Sequence, residues 1–264
     1  MSADANHAGE IIVRTCHGLD ELRACVALQK EIWNFSDAEL VPLRMFVVAE
    51  KVGGQVMGAF TGKDNEMVGF ALSVPGTRSG HIYLHSHMLA VRKDHRNNGL
   101  GRRLKLFQRE DALARGIELI EWTFDPLEIK NAYLNIEKLG AICRRYNINQ
   151  YGFTSSPLQG GLPSDRLIAE WWLRSQRVEI LLATGGNLPF KEQAAIQVPA
   201  QIYEWKSAAE TRSKAQHVQE QNRQQFLRAF DNGLAVLGYE RDSAGNGKFL
   251  LGTWNEQLSY ASRE

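Results

Sequence analysis

The stretch Met88-Leu-Ala-Val-Arg-Lys-Asp-His-Arg-Asn-Asn-Gly-Leu-Gly-Arg-Arg-Leu-Lys105 decides the fold of this chain. Its pattern predicts a strand that ends at Val91, a polar loop, and a helix over about 101–115. Gly99 and Gly101 allow the backbone to turn tightly and to approach a ligand closely. The stretch is rich in basic side chains, namely Arg92, Lys93, Arg96, Arg102, Arg103 and Lys105. Because a helix N-terminus also presents unpaired N–H groups to anions, the stretch predicts a diphosphate-binding loop.

Other phosphate-binding motifs fit this stretch less well. A dinucleotide-binding G-x-G-x-x-G motif requires a third glycine where Leu104 stands. A P-loop requires G-K-[ST] after its glycines, and this sequence does not have it. An ordinary charged surface turn is the remaining alternative, which the preceding strand and the following helix disfavour.

The segments on either side of this stretch predict a mixed α/β domain. Hydrophobic periodicity indicates the order β-α-α-β-β-β-α-β-α-β-β over roughly the first 175 residues. The predicted strands span 10–16, 55–61, 67–74, 81–91, 118–124, 141–146 and 167–173. The predicted helices span 19–33, the segment between Pro42 and Gly53, 101–115 and 131–139.

Beyond residue 176 the pattern changes. A long polar helix over 210–230 and a closing hairpin of 238–242 and 248–254 follow, and a loop rich in Gly, Pro and Ser occupies 155–165. We therefore expect an α/β domain over 1–175 and a smaller α+β C-terminal region over 176–264.

Composition narrows the functional classes. The chain has 264 residues, of which 44% are hydrophobic and 23% are charged, so it is able to bury a sizeable core. Its formal net charge of +1 argues against a dedicated nucleic-acid binder. Cys16, Cys25 and Cys143 have no C-x-x-C spacing, which predicts reduced thiols rather than a disulfide frame or a metal site. With no apparent secretory signal and no membrane-spanning apolar run, we expect a cytoplasmic protein without nucleic-acid, membrane or metal partners.

The strand-loop-helix stretch resembles the acetyl-CoA signature of the GNAT superfamily of N-acetyltransferases. That signature is R/Q-x-x-G-x-G/A, which Arg96, Gly99 and Gly101 match, and Leu89-Ala90-Val91 matches the hydrophobic strand end before it. The resemblance implies a mostly antiparallel sheet flanked by helices, with a bulged fourth strand whose edge pairs with the pantetheine arm. It also implies that acetyl-CoA, or another acyl-CoA such as succinyl-CoA, contacts Leu89, Ala90, Val91, Arg96, Asn97, Asn98, Gly99, Leu100, Gly101, Arg102 and Asn131.

The segment from Asn131 to Gly140 resembles the next helix of the superfamily, with one departure. Many members place a tyrosine four residues before the glycine, as general acid for the leaving thiolate, and this chain has Ile136 there. Tyr133 stands about one turn earlier, so the resemblance does not assign it that role. A thiol with a pKa of about 8.5 leaves without full protonation, and the general acid stays open.

His85 and His87 are the first candidates for the general base. Strand alternation predicts that they share one face. The arylalkylamine N-acetyltransferase branch is similar here, with two histidines at this spacing that relay the proton of the substrate to solvent. The chemistry requires such a relay, because an alkylammonium with a pKa of about 10 must lose a proton before it attacks a thioester, and imidazole titrates near 6.5.

Three carboxylates are rival bases. Asp125 is the best of them because it follows the predicted fifth strand, although it also suits a turn or helix cap; Glu121 and Glu170 lie on strands. A structural hydrogen-bonding role is the alternative for the histidines.

Together these features predict a CoA-dependent N-acyltransferase that moves an acyl group, in the first place from acetyl-CoA, to a primary amine by direct attack with a general base. Two alternatives stay open: a non-catalytic CoA-binding regulatory or interaction protein of the same fold, and a phosphate-binding module without a CoA role. The expected partner is a small-molecule amine or amino-acid acceptor. The sequence leaves open which acceptor it is, and whether the protein forms a homodimer.

Overall fold

The computed structural model describes residues 11–62, 64–153, 159–256 and 258. The chain forms two compact units. Unit 1 comprises Met1–Pro75 and Ser86–Ala114, and unit 2 comprises Gly76–His85 and Arg115–Glu264. The predicted domain boundary between residues 175 and 176 falls inside unit 2 and stays a prediction. Residues 155–158 of the predicted loop over 155–165 lie outside the described residues.

The chain up to residue 114 follows the predicted order of elements. These elements are β1 (Ile11–Thr15), α1 (Gly18–Trp33), α2 (Leu43–Lys51), β2 (Gln55–Thr61), β3 (Met67–Arg78), β4 (His81–Val91), a 3-10 turn (Lys93–His95) and α3 (Leu100–Ala114). β1 pairs with β2 and β2 pairs with β3, both in antiparallel fashion. Strands β3 and β4 each belong partly to unit 1 and partly to unit 2.

Helices cover both faces of the sheet in unit 1. On one face, Leu22 of α1 and Phe46 of α2 are buried in a cluster with Phe70 of β3. On the other face, Leu104 of α3 is buried in a cluster with Val68 of β3. This arrangement follows from period-2 alternation in the strands and an apolar stripe on each helix.

Unit 2 continues the predicted order and adds the C-terminal elements. They are β5 (Leu119–Phe124), α4 (Ile129–Tyr133), a π-helical segment (Leu134–Lys138), β6 (Ile142–Asn147), β7 (Arg166–Trp172), α5 (Gln176–Thr184), β8 (Ala194–Val198), α6 (Ile202–Ser207), α7 (Arg212–Asp231), β9 (Leu234–Arg241) and β10 (Gly247–Thr253). Its strand order is β4-β5-β7-β6-β9-β10-β8. β4 and β5 pair in parallel, and every other neighbouring pair in this order is antiparallel. The predicted mixed α/β fold with a mostly antiparallel sheet flanked by helices is therefore confirmed.

The C-terminal elements pack on the preceding strands of unit 2. Phe226 of α7 stacks on Tyr146 of β6 with 5.6 Å between ring centres. The sequence predicted α7 and the hairpin of β9 and β10, but missed α5, β8 and α6. The ends of α5 carry a usable signal, because the Ser175 hydroxyl caps its start and Gly185, with a φ of +75°, ends it.

Within the ranges given above, no helix combines the length and the apolar character needed to cross a bilayer.

Candidate functional site

The loop between β4 and α3 has left-handed backbone at two positions. Asn97 has a φ of +64° and Gly99 a φ of +74°. The first intrahelical bond of α3 runs from the Arg103 N–H to the Gly99 carbonyl over 3.0 Å, so the N–H groups of the preceding turn lie ahead of it. Residues 96–99 are exposed, whereas Leu100 is buried. The loop therefore presents the open first turn of α3 to solvent.

Apolar contacts hold this first turn against the strands. Leu100 and Leu104 belong to the same cluster as Leu89 of β4. On β3, a Cβ added at Gly69 would lie 2.8 Å from the Ala90 carbonyl oxygen, so only glycine lets β3 come this close to β4. The end of β4 and the start of α3 are thus fixed in place by packing.

Part of the basic stretch has structural roles. Arg92 Nε lies 2.9 Å from Glu31 Oε1, and Arg92 Nη1 lies 2.5 Å from Glu66 Oε1. Arg103 Nη2 donates to a backbone carbonyl of β1 over 2.6 Å. Lys105 is buried. The cationic field at the loop is consequently smaller than the sequence predicted.

Other cations of the stretch stay at the loop itself. Lys93 and Arg96 are exposed, and Arg102 is half-buried in the first turn of α3. Arg96 Nε donates to the Val91 carbonyl over 2.8 Å, and this bond holds the guanidinium next to the end of β4. An exposed loop at a helix N-terminus, left-handed backbone and an adjacent guanidinium are features that bind a phosphate group, so these residues fit the diphosphate of CoA.

The alternation of β4 breaks close to His87. The Ser86 hydroxyl donates to Gln108 Oε1 of α3 over 3.0 Å, so Ser86 faces α3. Leu89 packs in the α3 cluster, whereas Met88 packs in the cluster of α1 and α2. Strict alternation would place residues 86 and 88 on one face, so the strand carries an irregularity between them, as a β-bulge does. A bulge in this strand is what the GNAT resemblance implies.

His85 and His87 stand on either side of this irregularity. His85 is the register partner of Glu121 on β5, and the β4–β5 ladder ends with this pair, well before β4 ends. His87 is accessible to solvent, and desolvation of its ring by the surrounding protein lowers its pKa below the ordinary value. Because the alternation breaks here, the shared face of the two rings stays a prediction.

Lys105, one of the basic side chains counted in the stretch, is buried in the structure. Helical periodicity puts it on the buried face of α3 with Leu104, Gln108 and Ala112. Its Nζ donates to the Ser86 hydroxyl over 2.7 Å. Burial lowers the pKa of this amine well below the ordinary 10.5.

Asp125 is held by structural contacts. Its Oδ1 accepts from the Leu127 N–H over 2.8 Å, which is the turn-capping role that the sequence left as an alternative. Its Oδ2 lies 2.9 Å from Nζ of Lys206 on α6, and this lysine also lies 3.0 Å from Glu128 Oε1. Nothing in this arrangement brings a catalytic partner to Asp125, and its role as base stays a prediction.

Glu121 and Glu170 face each other in register on β5 and β7. Arg78 holds Glu121 with two bonds of 2.7 and 2.8 Å, and Arg145 contacts both carboxylates. Burial alone would raise the pKa of Glu121, but the two arginines bring it below the ordinary value. A carboxylate held in this way is a weak base.

The predicted helix over 131–139 forms as α4 and continues as the π-helical segment. Ile136 is fully buried there, so the position of the expected general acid is part of the core. Tyr133 is half-buried, with Lys138 Nζ 5.0 Å from its ring centre. Asn131 is exposed on α4.

Sequence reasoning missed two sets of charged residues. Lys206 gave no local signal, because its partner Asp125 is distant along the chain. Arg144 and Arg145 did give one, since consecutive arginines are unusual in a strand that reads as buried. A bulge between Cys143 and Arg145 accounts for them, because both arginines reach Glu170.

Comparison with known proteins agrees with this geometry. Residues 21–134 match the acetyltransferase (GNAT) family. No curated protein matches the sequence significantly. The fold is similar to that of the ribosomal-protein-S18-alanine N-acetyltransferase from Escherichia coli, with a TM-score of 0.50 and 16% identity, covering 63% of this chain and 96% of that one.

A second solved structure has the same fold. It is NAA60 of Arabidopsis thaliana in complex with a bisubstrate analogue, with a TM-score of 0.51 and 12% identity, covering 62% of this chain and 98% of that one. At these identities the likeness establishes the fold, and the family match covers the loop and both histidines. Residues 21–134 are therefore similar to the acetyltransferase (GNAT) family, in a chain whose fold is that of solved N-acetyltransferases.

Proposed function

We propose that this protein is a CoA-dependent N-acyltransferase that moves an acetyl group from acetyl-CoA to a primary amine by direct attack, without an acyl-enzyme. One observation carries the proposal: the exposed turn with left-handed Gly99 opens α3 directly after the strand that bears His85 and His87. A phosphate-binding element and a proton acceptor thus come from one continuous segment.

The loop residues bind and orient the co-substrate. The N–H groups of the turn ahead of Arg103 and the guanidinium of Arg96 hold the diphosphate. The edge of β4 at Leu89–Val91 receives the pantetheine arm as an added strand. When bound, acetyl-CoA supplies an activated acyl group whose thiolate is a fair leaving group.

The histidines remove the proton of the acceptor. An alkylammonium with a pKa of about 10 attacks only after it loses this proton, and a neutral imidazole accepts it. Desolvation lowers the pKa of His87, so its ring is neutral and able to accept a proton at neutral pH. His85 is the second member of the relay.

Departure of the thiolate needs no phenol in this proposal. Ile136 occupies the position where many relatives carry the acid, and it is fully buried. Since a thiol has a pKa of about 8.5, solvent protonates the thiolate after it leaves.

A thiol-release assay tests the proposal. Acetyl-CoA and, in parallel, succinyl-CoA are incubated with the protein and a panel of amino acids, polyamines, aromatic amines and lysine peptides. We expect amine-dependent release of CoA and a mass increase of one acyl group on the acceptor. If calorimetry detects CoA binding but no acceptor is acylated, the protein is the non-catalytic CoA-binding alternative. If CoA does not bind either, the loop serves another phosphate ligand.

A further inference from the structure

Two buried carboxylates form the base of a charged cluster in unit 2. Glu121 and Glu170 are register partners, and their side chains are only 4% and 3% exposed. Both contact guanidinium groups, and the arginines keep the pKa of Glu121 low, although burial alone would raise it. The carboxylates therefore serve as fixed anions that hold the arginines in position.

Three arginines lie over these carboxylates. Arg78 binds Glu121 through two parallel bonds of 2.7 and 2.8 Å. Arg145 donates from Nε to Glu170 over 3.2 Å and from Nη2 to Glu121, and Arg144 donates from Nη2 to Glu170. Three guanidinium groups against two carboxylates leave the cluster with one excess positive charge.

The excess charge is on the solvent side. The side chains of Arg78, Arg144 and Arg145 are 28%, 29% and 38% exposed, whereas the carboxylates beneath them are buried. Within the part of the chain that the structure describes, Nη1 of Arg145 has no acceptor. Guanidinium groups fixed in this way lose little conformational entropy when they bind an anion, and a carboxylate is an anion whose planar geometry they match.

The cluster adjoins the proposed proton acceptor. His85 is the register partner of Glu121, so its side chain lies on the same face, one strand spacing of about 5 Å away. Tyr83, two residues earlier on β4, lies with its ring centre 4.8 Å from the Arg78 guanidinium carbon. A carboxylate bound by the arginines and an amine held at His85 could therefore belong to one small molecule.

We propose that Arg78, Arg144 and Arg145 bind a carboxylate of the acyl acceptor, so that the acceptor is an amino acid rather than a simple amine. This inference rests on the proposed function, because it takes His85, one of the two histidines of the proton relay, as a group that lies beside the amine. The arginines are specificity-determining residues, and Arg145 contributes most because its side chain is the most exposed of the three.

The test compares amino acids with their amides as acceptors, for example leucine with leucinamide and phenylalanine with phenylalaninamide. Thiol release from acetyl-CoA gives kcat/KM for wild type, Arg145→Gln and Arg145→Lys. Arg174→Gln removes an exposed arginine of the same unit and serves as control. Because each variant is compared with wild type on the same acceptor, differences in the intrinsic reactivity of the amines cancel.

We expect Arg145→Gln to lower kcat/KM for the amino acid by about 10- to 100-fold and for the amide by less than about threefold, mainly through KM. Arg145→Lys should recover part of this loss, and Arg174→Gln should change neither acceptor. If Arg145→Gln lowers both values equally, or lowers only the melting temperature, the arginines are structural and the inference is wrong. Acylation of simple amines but of no amino acid would overturn it too, while the proposed acyl transfer would stand.

A binding experiment separates the two proposals when no acceptor is acylated. Leucine and leucinamide are titrated into the CoA-bound protein and followed by calorimetry. Tighter binding of leucine that is lost in Arg145→Gln supports the carboxylate site even if acyl transfer fails. Equal binding of leucine and leucinamide, or equal loss of both in the variant, overturns it.

Discussion

Lys206 Nζ lies 2.9 Å from Asp125 Oδ2, although the two residues are 81 positions apart in the chain. The lysine comes from α6 in the region over 176–264, and the carboxylate follows β5. Both side chains are buried, with 4% and 9% exposure, and Glu128 completes the lysine's contacts at 3.0 Å. Asp125, the strongest alternative to the histidines as catalytic base, is thus ion-paired with a lysine of the C-terminal region.

Replacement of Asp125 by asparagine should therefore affect stability and leave catalysis almost intact. The lysine keeps Glu128 but loses one charged partner in a buried place, so we expect the free energy of unfolding to fall by about 1–3 kcal/mol. Urea unfolding measures this loss. Changing Lys206→Met in the same chain should not recover this loss, because Glu128 would then lose its cation. A variant of normal stability that loses the acidic limb of kcat/KM would instead identify Asp125 as the base.

Replacement of Gly99 by valine should weaken CoA binding by roughly tenfold or more, about 1.4 kcal/mol. Gly99 has a φ of +74°, and a Cβ there meets no atom within 4 Å, so the penalty comes from the backbone conformation and not from a clash. Calorimetry with CoA measures the change. Gly101 lies in the first turn of α3. Gly101→Val should weaken CoA binding because a branched side chain there keeps the diphosphate from approaching the backbone closely.

Gly116 supplies a matched control for that experiment. It has the same φ of +74° and open space around its Cβ position, but it lies beyond the end of α3. Gly116→Val should cost the same backbone strain and leave CoA affinity within about twofold of wild type. Unchanged affinity in Gly99→Val and Gly101→Val would place the CoA site elsewhere.

Replacement of His85 and His87 together by glutamine should lower kcat/KM by roughly 10²–10⁴, the range for a lost general base. CoA affinity should stay close to normal, because the phosphate-binding loop is unchanged. Each single variant should cost less, since a water molecule is able to bridge the gap. His81→Gln, at the start of the same strand, is the control.

The pH dependence of the reaction reports on the same histidines. Desolvation places the pKa of His87 below the ordinary 6.5, so the ring stays neutral to a lower pH than a solvated imidazole. If His87 accepts the proton, the acidic limb of kcat/KM should lie below 6.5 and disappear in the double variant. A double variant that keeps both its rate and this limb would make the histidines structural.

Replacement of Lys105 by methionine should flatten the pH dependence of stability. Burial lowers the pKa of this amine well below 10.5 in the native state, so the unfolded chain binds more protons and stability rises with pH up to about 10.5. Methionine has no proton to lose, and urea unfolding between about pH 7 and 10 should give a smaller slope. Lys51→Met, an exposed control at the end of α2, should keep the wild-type slope, and an equal slope in Lys105→Met would contradict the expectation.

The sequence by itself determined the elements around the functional loop. Alternation in β4, the glycines at 99 and 101, and the periodicity of α3 predicted a strand, a turn and a helix in that order, and the structure confirms them. Such features depend on residues within a few positions of one another, because backbone preferences and amphipathic periods are local. Arg96 was predicted as a phosphate-binding residue for the same reason, since it precedes the helix in the loop itself, and this role stays a prediction.

Only the tertiary structure decided which charged side chains have partners. Lys105 is buried and donates to Ser86, and Asp125 pairs with Lys206, because strand register and helix packing bring distant residues together. The pairing of Arg145 with Glu121 depends on a bulge in β6 and on the order of three strands, neither of which the local pattern encodes. A charge in a sequence is a property of one residue, but its pKa and its availability to a substrate depend on what the whole fold places around it.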